Sequence, residues 1–202
     1  MDAYPVSYDV TPPEGPRNRL TTAFRLILAI PHILLVGSPG VGIGENSGTG
    51  VFGAVAFVNA FIAWFAILFT GRFPRGLWDL SHMYMRWRAR AIAYMALLRD
   101  EYPPFGDDGD YPTTFSLNYP EGDRNRWTVG FRIILAIPQV IVFVLLWIAW
   151  AVTAIIGWFA VLFTGRYPDG LWKFGVGVQR WSLRLLAYVM LLRDEYPPFS
   201  LE

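Results

Sequence analysis

Ile133 to Phe163 reads IILAIPQVIVFVLLWIAWAVTAIIGWFAVLF, without one formally charged residue. As a helix rising about 1.5 Å per residue, this run would reach roughly 45 Å, against a bilayer hydrocarbon core of about 30 Å. The excess length predicts two arms folded into a hairpin rather than one straight span. A second block of the same kind precedes it, since Glu45 is the only formally charged residue between Leu26 and Thr70. Over the 202 residues, 54% are hydrophobic, 17% aromatic and 16% charged, whereas an average soluble domain has about 25% charged residues. These values predict a protein whose apolar blocks meet lipid.

The remaining composition excludes several function classes. Seventeen basic residues against 16 acidic ones leave a net charge of +1, too even a balance for the electrostatic footprint of a nucleic-acid binder. With no cysteine in the chain, disulfide frameworks, thiolate metal sites, iron–sulfur clusters and cysteine nucleophiles are ruled out.

The chain repeats itself. Residues 4–105 and 111–199 read as two copies of one unit, joined by the acidic linker 106–110. Leu97-Leu98-Arg99-Asp100-Glu101-Tyr102-Pro103-Pro104-Phe105 recurs unchanged as Leu191 to Phe199, and Phe69-Thr70-Gly71-Arg72-Phe73-Pro74 recurs as Phe163 to Pro168 with Tyr167 for Phe73. Arg17-Asn18-Arg19 answers Arg124-Asn125-Arg126, and the Leu-Ala-Ile-Pro string ending at Pro31 answers the one ending at Pro138. Phe24 to Val36, preceded by arginines, would otherwise pass for a signal-peptide core. Its counterpart deep in the chain argues that it is retained.

The offset between copies falls from 107 residues to 94, so the first copy carries 13 extra residues, and Gly37 to Gly50 is where they fit. Gly, Pro, Ser and Asn there predict a surface loop, because lipid does not tolerate unpaired backbone. The predicted membrane segments are Thr22 to Val36, Val51 to Phe69, Val129 to Phe143 and Leu146 to Phe163. They form one hairpin per copy, with Pro31 and Pro138 making kinked or re-entrant first arms the alternative to full spans. Arg25, Arg72, Arg132 and Arg166 are expected to anchor these segments at the membrane interface. The charge bias predicts a multi-pass protein with both termini cytoplasmic.

After each hairpin comes a helical stripe: Leu77, Leu80, Tyr84, Trp87, Ala91, Tyr94 and Leu98, matched by Leu171, Phe174, Val178, Trp181, Leu185, Tyr188 and Leu192. Arg86 and Arg90, and again Arg180 and Arg184, follow one another at a one-turn interval. One reading lays these basic, aromatic helices in the headgroup layer. The other packs the stripe against the opposite copy inside a helical bundle. Each unit opens with a short strand, over Tyr4 to Val10 and Tyr111 to Leu117, the proline suiting an edge or first position. The fold class expected is thus mainly α and integral to a membrane: tandem repeats of strand, proline-containing hairpin and arginine-rich amphipathic interfacial helix.

The strings Phe-Arg, Leu-Ala-Ile-Pro, Leu-Phe-Thr-Gly-Arg-Phe/Tyr-Pro, Gly-Leu-Trp and Tyr-Pro-Pro-Phe, each present twice, resemble a bacterial membrane family known as domain of unknown function 4389. The resemblance covers nearly the whole chain. It implies an integral bacterial membrane protein and brings no chemistry and no catalytic residues; the bacterial cytoplasmic (inner) membrane is the expected location. The first copy departs from the second by the insertion and by His32 where the second has Gln139.

Motifs that could carry chemistry are weak. Gly48 to Gly53 spells Gly-x-Gly-x-x-Gly, but no strand frames it and no Gly-Lys-Ser/Thr follows, so a loop is expected instead of a phosphate cradle. His32 and His82 are matched by Gln139 and Val176, and Glu45 is the only acid near their depth, which disfavours a metal site. Asp100-Glu101 and Asp194-Glu195 read as structural helix ends beside Arg99 and Arg193 rather than as catalytic pairs. Asn59 reads as an interhelical hydrogen bonder. Ser38, Ser47 and Ser81 lack a convincing base partner. A transporter would ordinarily carry acids or histidines inside the membrane, and the second block has none.

The function expected is that of a non-enzymatic membrane accessory subunit or scaffold without cofactor. It would bind anionic lipid headgroups, a membrane protein complex or further copies of itself through Arg86, Trp87, Arg90, Arg180, Trp181 and Arg184. An oligomeric channel or small-solute transporter is the alternative.

Overall fold

A computed structural model of the protein describes residues 4–40, 50–106 and 108–202. Each half begins with a strand, β1 (Val6–Val10) and β2 (Thr113–Leu117), which pair antiparallel into a two-stranded ribbon. Tyr8 faces Phe115 at its centre, and these two residues are 107 positions apart, the offset that relates the early strings of the two halves. Burial along β1 alternates strictly, Val6, Tyr8 and Val10 being covered, as a strand with one wet face requires.

Helices follow in matched order. Asn18 caps α1 (Arg19–Ala23) by accepting from the Thr21 backbone N–H, and Asn125 caps α6 (Arg126–Gly130) by accepting from the Trp127 and Thr128 backbone N–H groups. In the first half come α2 (Arg25–Leu28) and α3 (Ile30–Val36), divided at Ala29 just before Pro31, and then α4 (Gly50–Thr70) and α5 (Arg75–Met95). In the second half α7 (Arg132–Thr164) is a single 33-residue helix carrying Pro138 inside it. It is followed by α8 (Asp169–Val189). Both α4 and α7 are long and apolar enough to cross a membrane.

The hairpin expected from Val129 to Phe163 does not form. No turn residue stands between Phe143 and Leu146, and an unbroken helix satisfies every backbone group internally. A helix of this length exceeds the hydrocarbon thickness when it stands normal to the bilayer, and less so as it tilts. The first half follows a related path: Arg25–Val36 and Gly50–Thr70 together match Arg132–Thr164 residue for residue, with the insertion set into the middle. A Cβ built on Gly50 would lie 2.6 Å from the Gly37 backbone nitrogen and the Leu35 carbonyl, so the chain returns against the point it left. Gly50 has φ +69° as well, and both facts require glycine. Of the glycine-rich motif Gly48 to Gly53, expected to form a loop, Gly48 and Thr49 lie outside the described residues, whereas Gly50 to Gly53 are helical and open α4.

The stripe helices α5 and α8 lie at the centre of the molecule, not on its rim as the headgroup-layer reading expects. Trp87 to Leu98 is one continuous buried run, and its helical part, more than two consecutive turns buried on all sides, means packing from every direction. On one side α5 meets α3 and α4, and α8 meets α7. On the other, β2 lies on α5 and β1 on α8. The order is therefore an apolar helical layer, a central helical layer and a ribbon. The halves also exchange elements, α1 packing on α7 and α6 on α4.

Candidate functional site

The arginines that are buried or half-buried divide into three sets. The first ties the ends of the long helices. Arg25, only 2% exposed, donates to the Arg99 carbonyl at 2.9 Å and to Asp100 at 2.5 Å, with its guanidinium 4.2 Å from the Tyr94 ring centroid. Arg132 repeats this with the Arg193 carbonyl, Asp194 at 2.6 Å and the Tyr188 ring at 4.0 Å. Arg17 joins Asp100 and donates to the Leu97 and Leu98 carbonyls, while Arg124 joins Asp194 and donates to the Leu191 carbonyl. Leu97 and Leu191 hold φ of +60° and +62°, an uncommon conformation for residues with a side chain. It turns the chain at the end of each central helix.

Arg25 and Arg132 are thus enclosed ion pairs rather than snorkelling anchors. Burial pushes the Asp194 carboxyl up, but hydrogen bonds and charge from Arg124 and Arg132 outweigh it and hold the group below the ordinary carboxylate range. Asp100-Glu101 and Asp194-Glu195 take structural positions, Glu101 and Glu195 pairing with Arg99 and Arg193. Arg72 and Arg166 are exposed, Arg72 lying 3.2 Å from Asp123.

The second set sits between the central helices and the ribbon. Arg180 donates to the Tyr8 and Leu201 carbonyls, both at 2.7 Å, and Arg184 to the Val6 and Glu202 carbonyls. Burial and the neighbouring Arg180 charge push the Arg184 guanidinium down, with Tyr4 acting against them. Arg90 donates to the carbonyls of Asp108 at 2.8 Å and Gly109 at 2.9 Å. Arg86 and Arg90 line a cavity of about 310 Å³ with Asp110, Thr113, Thr114 and Ser116. Hydroxyls, two guanidiniums and Asp110 around one concavity make it polar and able to hydrogen-bond a polar group. Trp87 and Trp181 point the other way, into the apolar layer, where their indole N–H groups bond His32 and Gln139.

These bonds explain the one polar mismatch between the halves. Gln139 accepts from Trp181 at 2.8 Å and donates to the Pro197 carbonyl at 2.5 Å. His32 Nδ1 accepts from Trp87 at 3.1 Å, and its other polar neighbour is the backbone of Pro103, the counterpart of Pro197. An indole N–H can only donate, so Nδ1 carries no proton and the imidazole is neutral. His82 stacks on Trp78 at 4.8 Å, away from that cluster.

The third set is Arg88 alone, fully buried, which sequence reasoning passed over. It donates to the Val36 carbonyl at 2.6 Å and the Ser38 carbonyl at 3.1 Å, and so closes the end of α3 where the insertion begins. Its counterpart Ser182 donates to the Gly40 carbonyl at 3.1 Å. Asn59, as expected, bonds between helices, reaching Ser81 at 2.7 Å and the Leu77 carbonyl. A groove of about 600 Å³ also opens between α4 and α7, lined by Phe57, Phe61, Trp64, Ile137 and Ile141, with Arg132 among its walls.

The family model for a domain of unknown function, DUF4389, matches residues 49–106 and again 126–200. The chain belongs to this family. No curated protein and no solved structure matches it. Of the enclosed cluster residues, the two DUF4389 matches contain Asp100, Arg132 and Asp194, while Arg17, Arg25 and Arg124 lie outside them. Each DUF4389 segment therefore supplies an aspartate, and the arginine partners of Asp100 both lie outside the matched stretches, whereas Asp194 takes Arg132 from inside and Arg124 from outside.

Proposed function

We propose that this chain is a non-enzymatic membrane scaffold or accessory subunit of the bacterial cytoplasmic membrane. In this reading it consists of two copies of one unit related by a two-fold axis through the Tyr8–Phe115 pair. The apolar helices hold it in lipid, exposed arginines such as Arg72 and Arg166 meet anionic headgroups, and the Arg86–Arg90 cavity receives an acidic group from a membrane protein partner. The observation that carries this reading is the separation of surfaces: an exposed apolar layer on one side, a basic polar cavity on the other, and the aspartates engaged in ion pairs between them. Arg86, Arg90, Arg180 and Arg184 lie on the ribbon side, so partner binding suits them better than lipid binding.

The test is isolation in a mild detergent or native nanodisc, followed by mass spectrometry of co-purifying proteins and lipids. A stoichiometric protein partner lost in Arg86→Gln, with membrane recovery unchanged, is the expected result. A lone protein whose behaviour is the same in the variant would overturn the accessory-subunit reading. Solute flux through purified, reconstituted protein would replace it with the channel.

A further inference from the structure

The geometry points to a lipid-docking surface of a particular kind: the apolar layer seats in one leaflet, with α4 and α7 lying in the membrane plane and the ribbon turned to water. This rests on the membrane-bound reading above and specifies how the chain meets lipid.

The exposed large apolar side chains of the long helices lie on one layer only. Along α7 they recur every one or two turns, through Ile134, Ile141, Ile148, Ile155, Phe159 and Phe163, over its whole length, roughly 50 Å by helical rise. Among the described residues, no large apolar side chain of α5, α8 or the ribbon is exposed. Patches on soluble monomers seldom exceed a few hundred Å², so a face of this extent needs an apolar environment.

Depth decides between crossing the membrane and lying in it. α8 runs antiparallel along α7: Tyr188 meets Arg132, Trp181 meets Gln139, and Gly175 lies against Trp150. The ribbon lies on the middle of α8, held by Arg180 and Arg184. If α7 crossed the hydrocarbon, the middle of α8 and the ribbon would share its central depth. Asp9, whose side chain is 70% exposed and 3.4 Å from Arg180, would then be a carboxylate at mid-bilayer, among the least favourable placements known. With α7 in the plane, the central helices stand one layer above the lipid and Asp9 is in water.

Charge agrees with this seating. α4 ends at Gly71 beside Arg126, and α7 ends at Gly165 beside Arg19, each guanidinium about 3.5 Å from where a Cβ would sit. With Arg72 and Arg166, these exposed arginines mark opposite ends of the apolar layer, because the Arg124 N–H bonds the Gly71 carbonyl and the Arg17 N–H bonds the Gly165 carbonyl. Lying flat, all four reach anionic headgroups of the same leaflet.

The chain has no cysteine, so single cysteines report without background. Arg72→Cys and Arg166→Cys are labelled with a membrane-impermeant maleimide in sealed right-side-out and inverted vesicles from expressing cells. Both are expected to label in the same vesicle orientation and to be shielded in the other. Labelling of one in each orientation would overturn the seating while leaving the membrane reading intact. Absence of the chain from the vesicles would overturn the membrane reading itself. Spin labels at Ile134→Cys, Ile148→Cys and Phe163→Cys in phosphatidylcholine/phosphatidylglycerol vesicles are expected at one common depth, and a centre deeper than both ends would also overturn the seating.

Discussion

Trp87 donates its indole N–H to His32 Nδ1 at 3.1 Å, and in the other half of the molecule Trp181 donates to Gln139 at 2.8 Å. A neutral imidazole and a carboxamide each offer the acceptor that the tryptophan N–H demands. His32→Gln should therefore leave the thermal midpoint nearly unchanged. His32→Leu strands a buried indole donor and should lower stability by about 1–3 kcal/mol. Thermal unfolding of the detergent-solubilised protein checks both, and equal losses in the two variants would contradict the shared role.

Asp194→Asn removes the carboxylate from Arg124 and Arg132, whose side chains are 3% and 2% exposed. Breaking an enclosed pair by deleting one partner typically costs about 3–5 kcal/mol, and denaturant midpoints should show a loss of that order.

The same cluster sets an acid limit. Its carboxyl titrates below the ordinary value in the folded chain, so the folded state binds fewer protons than the unfolded one wherever the two differ. The stability it contributes is fully present above the unfolded-state value of about 3.9 and is lost as pH falls through the folded-state value. Glu101 and Glu195 are displaced in the same direction. Denaturant midpoints should thus change little from pH 7 to 5 and fall steeply below about pH 4. The Asp194→Asn protein should show a shallower fall.

Arg88 and the insertion should behave as one device. Arg88→Leu leaves the Val36 and Ser38 carbonyls at the α3 terminus without their donor, an expected cost of about 2–4 kcal/mol. Joining Val36 to Gly50 by deleting residues 37–49 restores the helical path seen in α7 but strands the guanidinium. Arg88→Ser, the residue found at the corresponding position 182, should rescue that deletion. A double variant no more stable than the deletion alone would separate the two.

Gly157 presses on the Tyr167 ring, which an added Cβ would overlap. Gly157→Ala should destabilise by about 1–3 kcal/mol through overpacking. Pairing it with Tyr167→Leu should recover part of the loss, as read by thermal unfolding.

The elements were largely legible in the sequence. Alternation at Tyr4 to Val10 and Tyr111 to Leu117 marked both strands to within two residues, and the stripe from Leu77 marked α5 because three-and-four spacing has no strand equivalent. The course of the second apolar block was not legible. Ile133 to Phe163 is as apolar as a hairpin or as one long helix, and only its packing on α8 separates them. Arginine roles failed for a different reason: charge spacing on a helix does not say whether a guanidinium faces water or a carbonyl from a distant segment. Arg25 finds Asp100 across 75 residues. The doubled Arg-Asn-Arg and Arg-Asp-Glu strings were the available signal, since each supplies one side of both clusters.

The exchange of α1 and α6 between halves, together with a ribbon that takes one strand from each, bears on ancestry. A chain holding a single such unit would leave its strand without a mate and its long helix without the partner's first turn. It would complete this architecture only as a homodimer. In the two-copy reading proposed above, fusion of such a dimer would free each half to diverge, and the insertion after Val36, with a buried arginine to serve it, is a change that one half can then carry alone.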